Sequence, residues 1–138
     1  MIRDELTEVL NKISAIEGRT YTAEEADAWH EVLAGRSLAD ALAATITFYS
    51  KPFTHRAYPG DINALVEVIE MQRVEAVGDL VMNEEDWSAP DYAPGKALRA
   101  LYQHVRKGRI TREGYDAYRR SGLSLAAFIE QQEVPVGG

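Results

Sequence analysis

Apolar residues recur every three or four positions along most of the chain, the spacing that lays a stripe down one side of an α-helix. Ile2, Leu6, Val9, Leu10, Ile13 and Ile16 form the first stripe, and Gly18 is a natural stop for it. Thr22 and Glu25 have the spacing of a capping box, which predicts a second helix with Trp29, Val32 and Leu33 on its buried face and its end at Gly35. Ser37 and Asp40 repeat the start signal more weakly. A third helix follows, with Leu38, Ala41, Leu42, Thr45, Ile46 and Tyr49 on one face, closed by Pro52. The stretch 49–61 holds two prolines and several aromatics and reads as an ordered loop. Pro59 suits the first turn of a fourth helix, on which Ile62, Leu65, Val66, Ile69 and Val77 are the apolar positions and Glu67 and Glu70 are expected to face solvent.

The pattern breaks over 83–95, where four acids, two prolines and a glycine accumulate around Trp87. This stretch is expected to be a linker or boundary. Beyond it, Ala97, Leu98, Leu101, Tyr102 and Val105 predict a fifth helix ending near Gly108. Thr111 opens a sixth through Tyr115 and Tyr118 to Gly122, and Ser124 a seventh with Leu125, Phe128 and Ile129. Residues 134–138 look frayed. No stretch alternates with the period of a strand, and no internal repeat is visible. The expected fold is all-α: a compact four-helix acidic domain over 1–82, the boundary 83–95, and a smaller basic helical region over 96–138.

Composition narrows the classes. The 138 residues include no cysteine, which excludes a disulfide scaffold, a thiolate nucleophile and a zinc finger. No apolar run approaches the roughly 18 residues of a membrane span, and the first residues lack the apolar region of a signal peptide, so a soluble cytoplasmic protein without membrane contacts is expected. Charge is unevenly spread along the chain. Residues 1–95 hold 7 basic and 18 acidic side chains, whereas 96–138 hold 8 basic and 4 acidic ones. An acidic body with a basic final third points to two surfaces that meet different partners.

Little in the sequence resembles catalytic machinery. His30, His55 and His104 lack a second histidine or a carboxylate at metal-ligand spacing, and no phosphate loop or nucleophile elbow occurs. Glu84, Glu85 and Asp86 lack the glycine and spacing of a calcium loop. No catalytic residue, metal site or cofactor is expected, and the chain is not read as an enzyme. The basic segment carries more signal. Lys96, Arg99, Arg106, Lys107, Arg109, Arg112, Arg119 and Arg120 are interleaved with Tyr102, Tyr115 and Tyr118, a mixture that can neutralise phosphates and offer rings for stacking. The same arginines also suit the solvated faces of ordinary amphipathic helices, or contact with an acidic protein surface. Trp87, set among acids in the expected linker, joins these as a partner-binding candidate. Trp29, Tyr49, Phe53 and Tyr58 have two readings as well: an exposed anchor patch, or packing between short helices.

Residues 2–77 resemble the small helical phage proteins that load, and hold inactive, the hexameric replicative helicase. The resemblance rests on the first amphipathic helix, the tryptophan-bearing second helix in 26–33, the third helix from 39 to Tyr49, the aromatic Phe53, and Pro59, Asp61 and Ile62 opening the next helix. It implies a non-enzymatic adaptor with a folded amino-terminal domain and a carboxy-terminal region that engages the helicase. In that family the carboxy-terminal region is typically flexible, whereas 97–129 here has the pattern of folded helices. The leading expectation is therefore a phage or prophage replication accessory protein. Its partner would be a replicative helicase, with single-stranded DNA or an initiator as further contacts. The alternatives are a small DNA-binding regulator using 111–122 as a recognition helix, and a host-takeover protein acting on another bacterial target. Oligomeric state is not legible in the sequence.

Overall fold

Helix-start and helix-stop chemistry accounts for the element boundaries in the computed structural model, which describes residues 1–88 and 95–133. The elements are α1 (Arg3–Glu17), α2 (Ala23–Leu33), α3 (Leu38–Tyr49), α4 (Pro59–Val77), α5 (Glu84–Trp87), α6 (Lys96–Arg106), α7 (Arg112–Ser121) and α8 (Leu125–Glu133). The fold is all-helical, with no strand among the described residues. At Gly18 the chain turns into the left-handed region (φ 72°), and its amide donates to the Ser14 carbonyl at 2.8 Å. The capping box of α2 is formed in both directions: the Glu25 amide donates to Thr22 Oγ1 at 3.1 Å, and the Thr22 amide to Glu25 Oε1 at 3.2 Å. Ser37 caps α3 by accepting from the Asp40 amide at 3.2 Å. The expected frayed end, 134–138, lies outside the described residues.

The chain packs as two compact units, Met1–Ile69 and the part from Glu70 onward. In the first, Leu6, Val9, Leu10 and Ile13 of α1 meet Ala26, Trp29 and Leu33 of α2, Ala41 and Ala44 of α3, and Ile62 and Val66 of α4. Trp29 is 5% exposed and meets the Tyr21 ring edge-on at 5.9 Å. Thr45 is fully buried, and its hydroxyl is satisfied by the Ala41 carbonyl at 2.8 Å. Three residues expected on buried faces are exposed instead: Ile16, Val32 and Ile46. The reason is helix rotation. At 100° per residue, the inward arcs of Ala26, Trp29 and Leu33 and of Ala41, Ala44 and Thr45 have their centres roughly 90° from Val32 and roughly 150° from Ile46.

The second unit buries Val77, Leu101, Val105, Ile110, Tyr115, Tyr118, Leu125 and Phe128. Leu98, expected on the apolar face of its helix, is exposed. The larger correction concerns Glu70. Expected to face solvent, it is fully buried, with Oε1 2.9 Å from Lys107 Nζ and 3.8 Å from Arg106 Nε. Nearby, Arg73 Nη1 donates to the Arg106 carbonyl at 2.9 Å, below the turn where Gly108 adopts φ +76°. The positive φ calls for glycine there, and a Cβ on Gly108 would also sit 3.2 Å from Arg73 Nε, so the Arg73 side chain would have to give way slightly.

Residues 83–88, read from composition as the start of a linker, are built into this second unit. Asn83 is 4% exposed, and its amide donates to the Tyr118 hydroxyl at 2.8 Å. Its side-chain nitrogen donates to the carbonyls of Tyr118 and Leu123 at 2.7 and 2.9 Å. Asp86 accepts from the Tyr118 hydroxyl and from the Leu125 amide, and Glu85 accepts from the Ser124 amide at 3.0 Å. The acids of α5 thus satisfy the first amides around α8, a cap supplied from elsewhere in the chain. The remainder of the expected boundary, 89–94, lies outside the described residues.

Candidate partner-binding surfaces

The basic candidates separate into two groups according to what their charged ends touch. Arg106 and Lys107 are about one-fifth exposed and are held against Glu70, with the Arg106 guanidinium also 5.7 Å from the centre of the Tyr102 ring. Arg119 is exposed yet donates to the Met82 carbonyl and to Asn83 Oδ1, both at 2.9 Å, and Arg112 reaches the Val77 carbonyl at 3.5 Å. These four fasten the second unit together. Lys96, Arg99, Arg109 and Arg120 are exposed, and none forms an ion pair among the described residues. Trp87, on α5, is 54% exposed.

The tyrosines expected to offer stacking rings do not do so. Tyr118 is fully buried and Tyr115 nearly so, their hydroxyls engaged by the chain at 81–86. Burial pushes the Tyr118 hydroxyl well above the ordinary phenol range, and the Asp86 carboxylate acts in the same direction. Tyr102 is half-buried, its hydroxyl 3.5 Å from Met71 Sδ. A basic surface remains, without the interleaved aromatic platform.

The aromatic group of the first unit divides too. Trp29 is core, as its helical position implied. Tyr49 is half-buried and works as a strut: its hydroxyl donates to Glu17 Oε1 at 2.6 Å and accepts from the Ala57 amide at 3.3 Å. Desolvation, together with the Glu17 carboxylate, raises its hydroxyl far above the usual phenol range. Phe53 and Tyr58 remain 49% and 58% exposed. Phe53 stacks on Phe48 (5.7 Å, 29°), and His55 stacks on Tyr58 (5.6 Å, 24°). His55 Nε2 also lies 3.0 Å from Asp61 Oδ2, the oxygen that accepts from the Tyr58 amide at 2.9 Å.

Two depressions flank the loop, sharing Phe53, Thr54 and His55 in their walls. One, of about 300 Å³, adds Phe48, Lys51 and Leu65; the other, of about 460 Å³, adds Ile16, Glu17, Arg19 and Arg56. Lys51 and Arg56 were not singled out from the sequence. The available signal was that Lys51, His55 and Arg56 follow one another without an acid until Asp61. Among the described residues no group of three or more His, Asp or Glu side chains is placed to hold a metal ion. His30 has a backbone role, its Nε2 lying 2.9 Å from the Met1 carbonyl. No described helix is long and apolar enough to cross a membrane. No family model, curated protein or solved structure matches the chain.

Proposed function

We propose that this chain is a non-enzymatic DNA-replication accessory protein of phage or prophage type that binds a replicative helicase and loads it or holds it inactive. One observation carries the reading: apart from the exposed Phe53, the residues behind the resemblance have a building role in the first unit. Trp29 fills the core, Pro59 starts α4, Asp61 caps that start through the Tyr58 amide, and Ile62 is fully buried behind it. The resemblance therefore rests mainly on positions that dictate how α1 to α4 pack.

Function through binding alone is consistent with such a scaffold. A protein that prefers one conformation of a ring-shaped helicase shifts its population by the difference in affinity between conformations, and needs no chemistry of its own. Lys96, Arg99, Arg109 and Arg120 are outward charges without an internal ion pair among the described residues, available to an acidic helicase surface or to single-stranded DNA. Affinity capture with tagged full-length protein, read by mass spectrometry, should recover a replicative helicase. Recovery of no helicase or other replication protein would end this reading.

The runner-up, a DNA-binding regulator, draws on the exposed Arg109 and Arg120 beside α7. It requires binding to duplex DNA that weakens steeply with salt. A mobility-shift titration at ~50 mM salt, where such contacts are strongest, separates the two readings.

A further inference from the structure

We propose that the loop between α3 and α4 is a docking site for an acidic segment of a partner protein, which inserts an apolar side chain beside Phe53. The proposal is independent of the helicase reading, so either can fail alone. Exposed apolar residues are ordinary when scattered singly. Here Phe53 and Tyr58 lie in one short loop, and the depression of about 300 Å³ beside Phe53 is walled by the apolar Phe48, Pro52 and Leu65 as well as Lys51. An apolar side chain set into this depression covers part of its surface against Phe48, Pro52, Phe53 and Leu65, as anchor residues at interfaces do.

Charge selects the occupant. The first unit carries 6 basic and 11 acidic residues, yet 50–60 contains Lys51, His55 and Arg56 and no acid. Arg19, beside the second depression, is paired with Glu25 at 2.6 Å and lies over the Tyr21 ring. Lys51 and Arg56 are exposed, and neither enters an ion pair among the described residues. Two cations without an ion pair among the described residues flank the apolar anchor site, and Glu17 in the second wall accepts from the Tyr49 hydroxyl; this arrangement fits carboxylates flanking an apolar side chain.

Nucleic acid fits less well. Its affinity grows with the number of phosphates neutralised, and two cations on a net-acidic unit neutralise few.

The test is selection of a random-peptide phage library on the full-length protein, with parallel selection on Phe53→Ala and on Lys51→Glu/Arg56→Glu, each checked for helicity by circular dichroism. The expected result is a consensus of Asp or Glu around Phe, Leu or Trp. A synthetic peptide of that consensus should lose about tenfold or more in affinity for either variant, as truncation of an anchor predicts. The proposal is overturned by the absence of enrichment, by a consensus without acids, or by equal affinity for the charge-reversed protein. It is overturned equally if labelled oligo-dT, and no peptide, binds in a way that these substitutions abolish.

Discussion

Replacing Lys107 by methionine removes the ammonium 2.9 Å from Glu70 Oε1 and leaves a fully buried carboxylate with the Arg106 guanidinium 3.8 Å away. Breaking a buried pair from one side typically costs about 3–5 kcal/mol, because the remaining charge loses its compensation without regaining water. Arg106 moderates that loss, which puts the expected cost near the lower end, about 3 kcal/mol. This corresponds to a factor of about 150 in the opening equilibrium of the second unit. The double substitution Glu70→Met/Lys107→Met should recover most of the loss, since an apolar pair of similar volume needs no desolvation of charge. Because the chain packs as two units, the measurement should be local: amide hydrogen exchange by mass spectrometry over α6 and the second half of α4. An exchange rate raised less than about fivefold by Lys107→Met would refute the reasoning. So would a double variant as unstable as the sum of its two single variants.

Trp29→Ala should destabilise the first unit by about 3–5 kcal/mol, the usual cost of emptying an aromatic core position; a urea titration read by exchange over α1 to α3 checks it, and a folded variant that has merely lost a partner would show Trp29 to be a contact rather than core. Alkaline pH should unfold both units. Tyr49 and Tyr118 hold their protons above the ordinary phenol range when folded. The contribution of these two hydroxyls to stability is therefore constant below pH ~10 and is lost above it, where only the unfolded chain releases those protons. Absorbance at 295 nm should show these two of the seven tyrosines ionising only as circular dichroism is lost. Substituting Lys96, Arg99, Arg109 and Arg120 together by alanine should abolish helicase capture while shifting stability by less than about 0.5 kcal/mol per site, the range of surface changes without a structural partner.

Helix starts and stops were legible because they depend on neighbours in sequence: Thr22 with Glu25, Ser37 with Asp40, and Gly18 all act within one turn. Which residues of an apolar stripe lie deepest was less legible. A one-residue shift of a stripe's centre decides whether Val32 or Trp29 is inside, and the helices packed opposite set that centre. Glu70 is a case where the residue type misled. Carboxylates are rarely buried without partners, and its partners lie about 36 positions later in the chain. The linker reading of 83–88 failed for a related reason. Asn83, Glu85 and Asp86 look solvated by composition, but they are the polar groups that pin Tyr118 and the start of α8.

The same long-range pairing changes the meaning of the charge distribution. Divided at the compositional break, the chain reads as a strongly acidic body and a basic tail. Divided where it packs, between Ile69 and Glu70, it holds 6 basic and 11 acidic residues, then 9 basic and 11 acidic, so both units are net acidic. The acids of 70–86 and the bases of 96–120 belong to one unit, and part of each neutralises the other there, as Glu70 does with Arg106 and Lys107. Of eight basic residues that the linear reading offered to a partner, four are committed to internal contacts. The electrostatic contribution to any interface on this unit scales with the charges that stay uncompensated: Arg106 and Lys107 lose theirs to Glu70, whereas the exposed Arg112 and Arg119 bond to neutral oxygens and keep their charge while giving up freedom to move. That deficit weighs more against duplex DNA, whose affinity is built from many phosphate contacts, than against a protein partner whose shape and apolar contacts supply the rest.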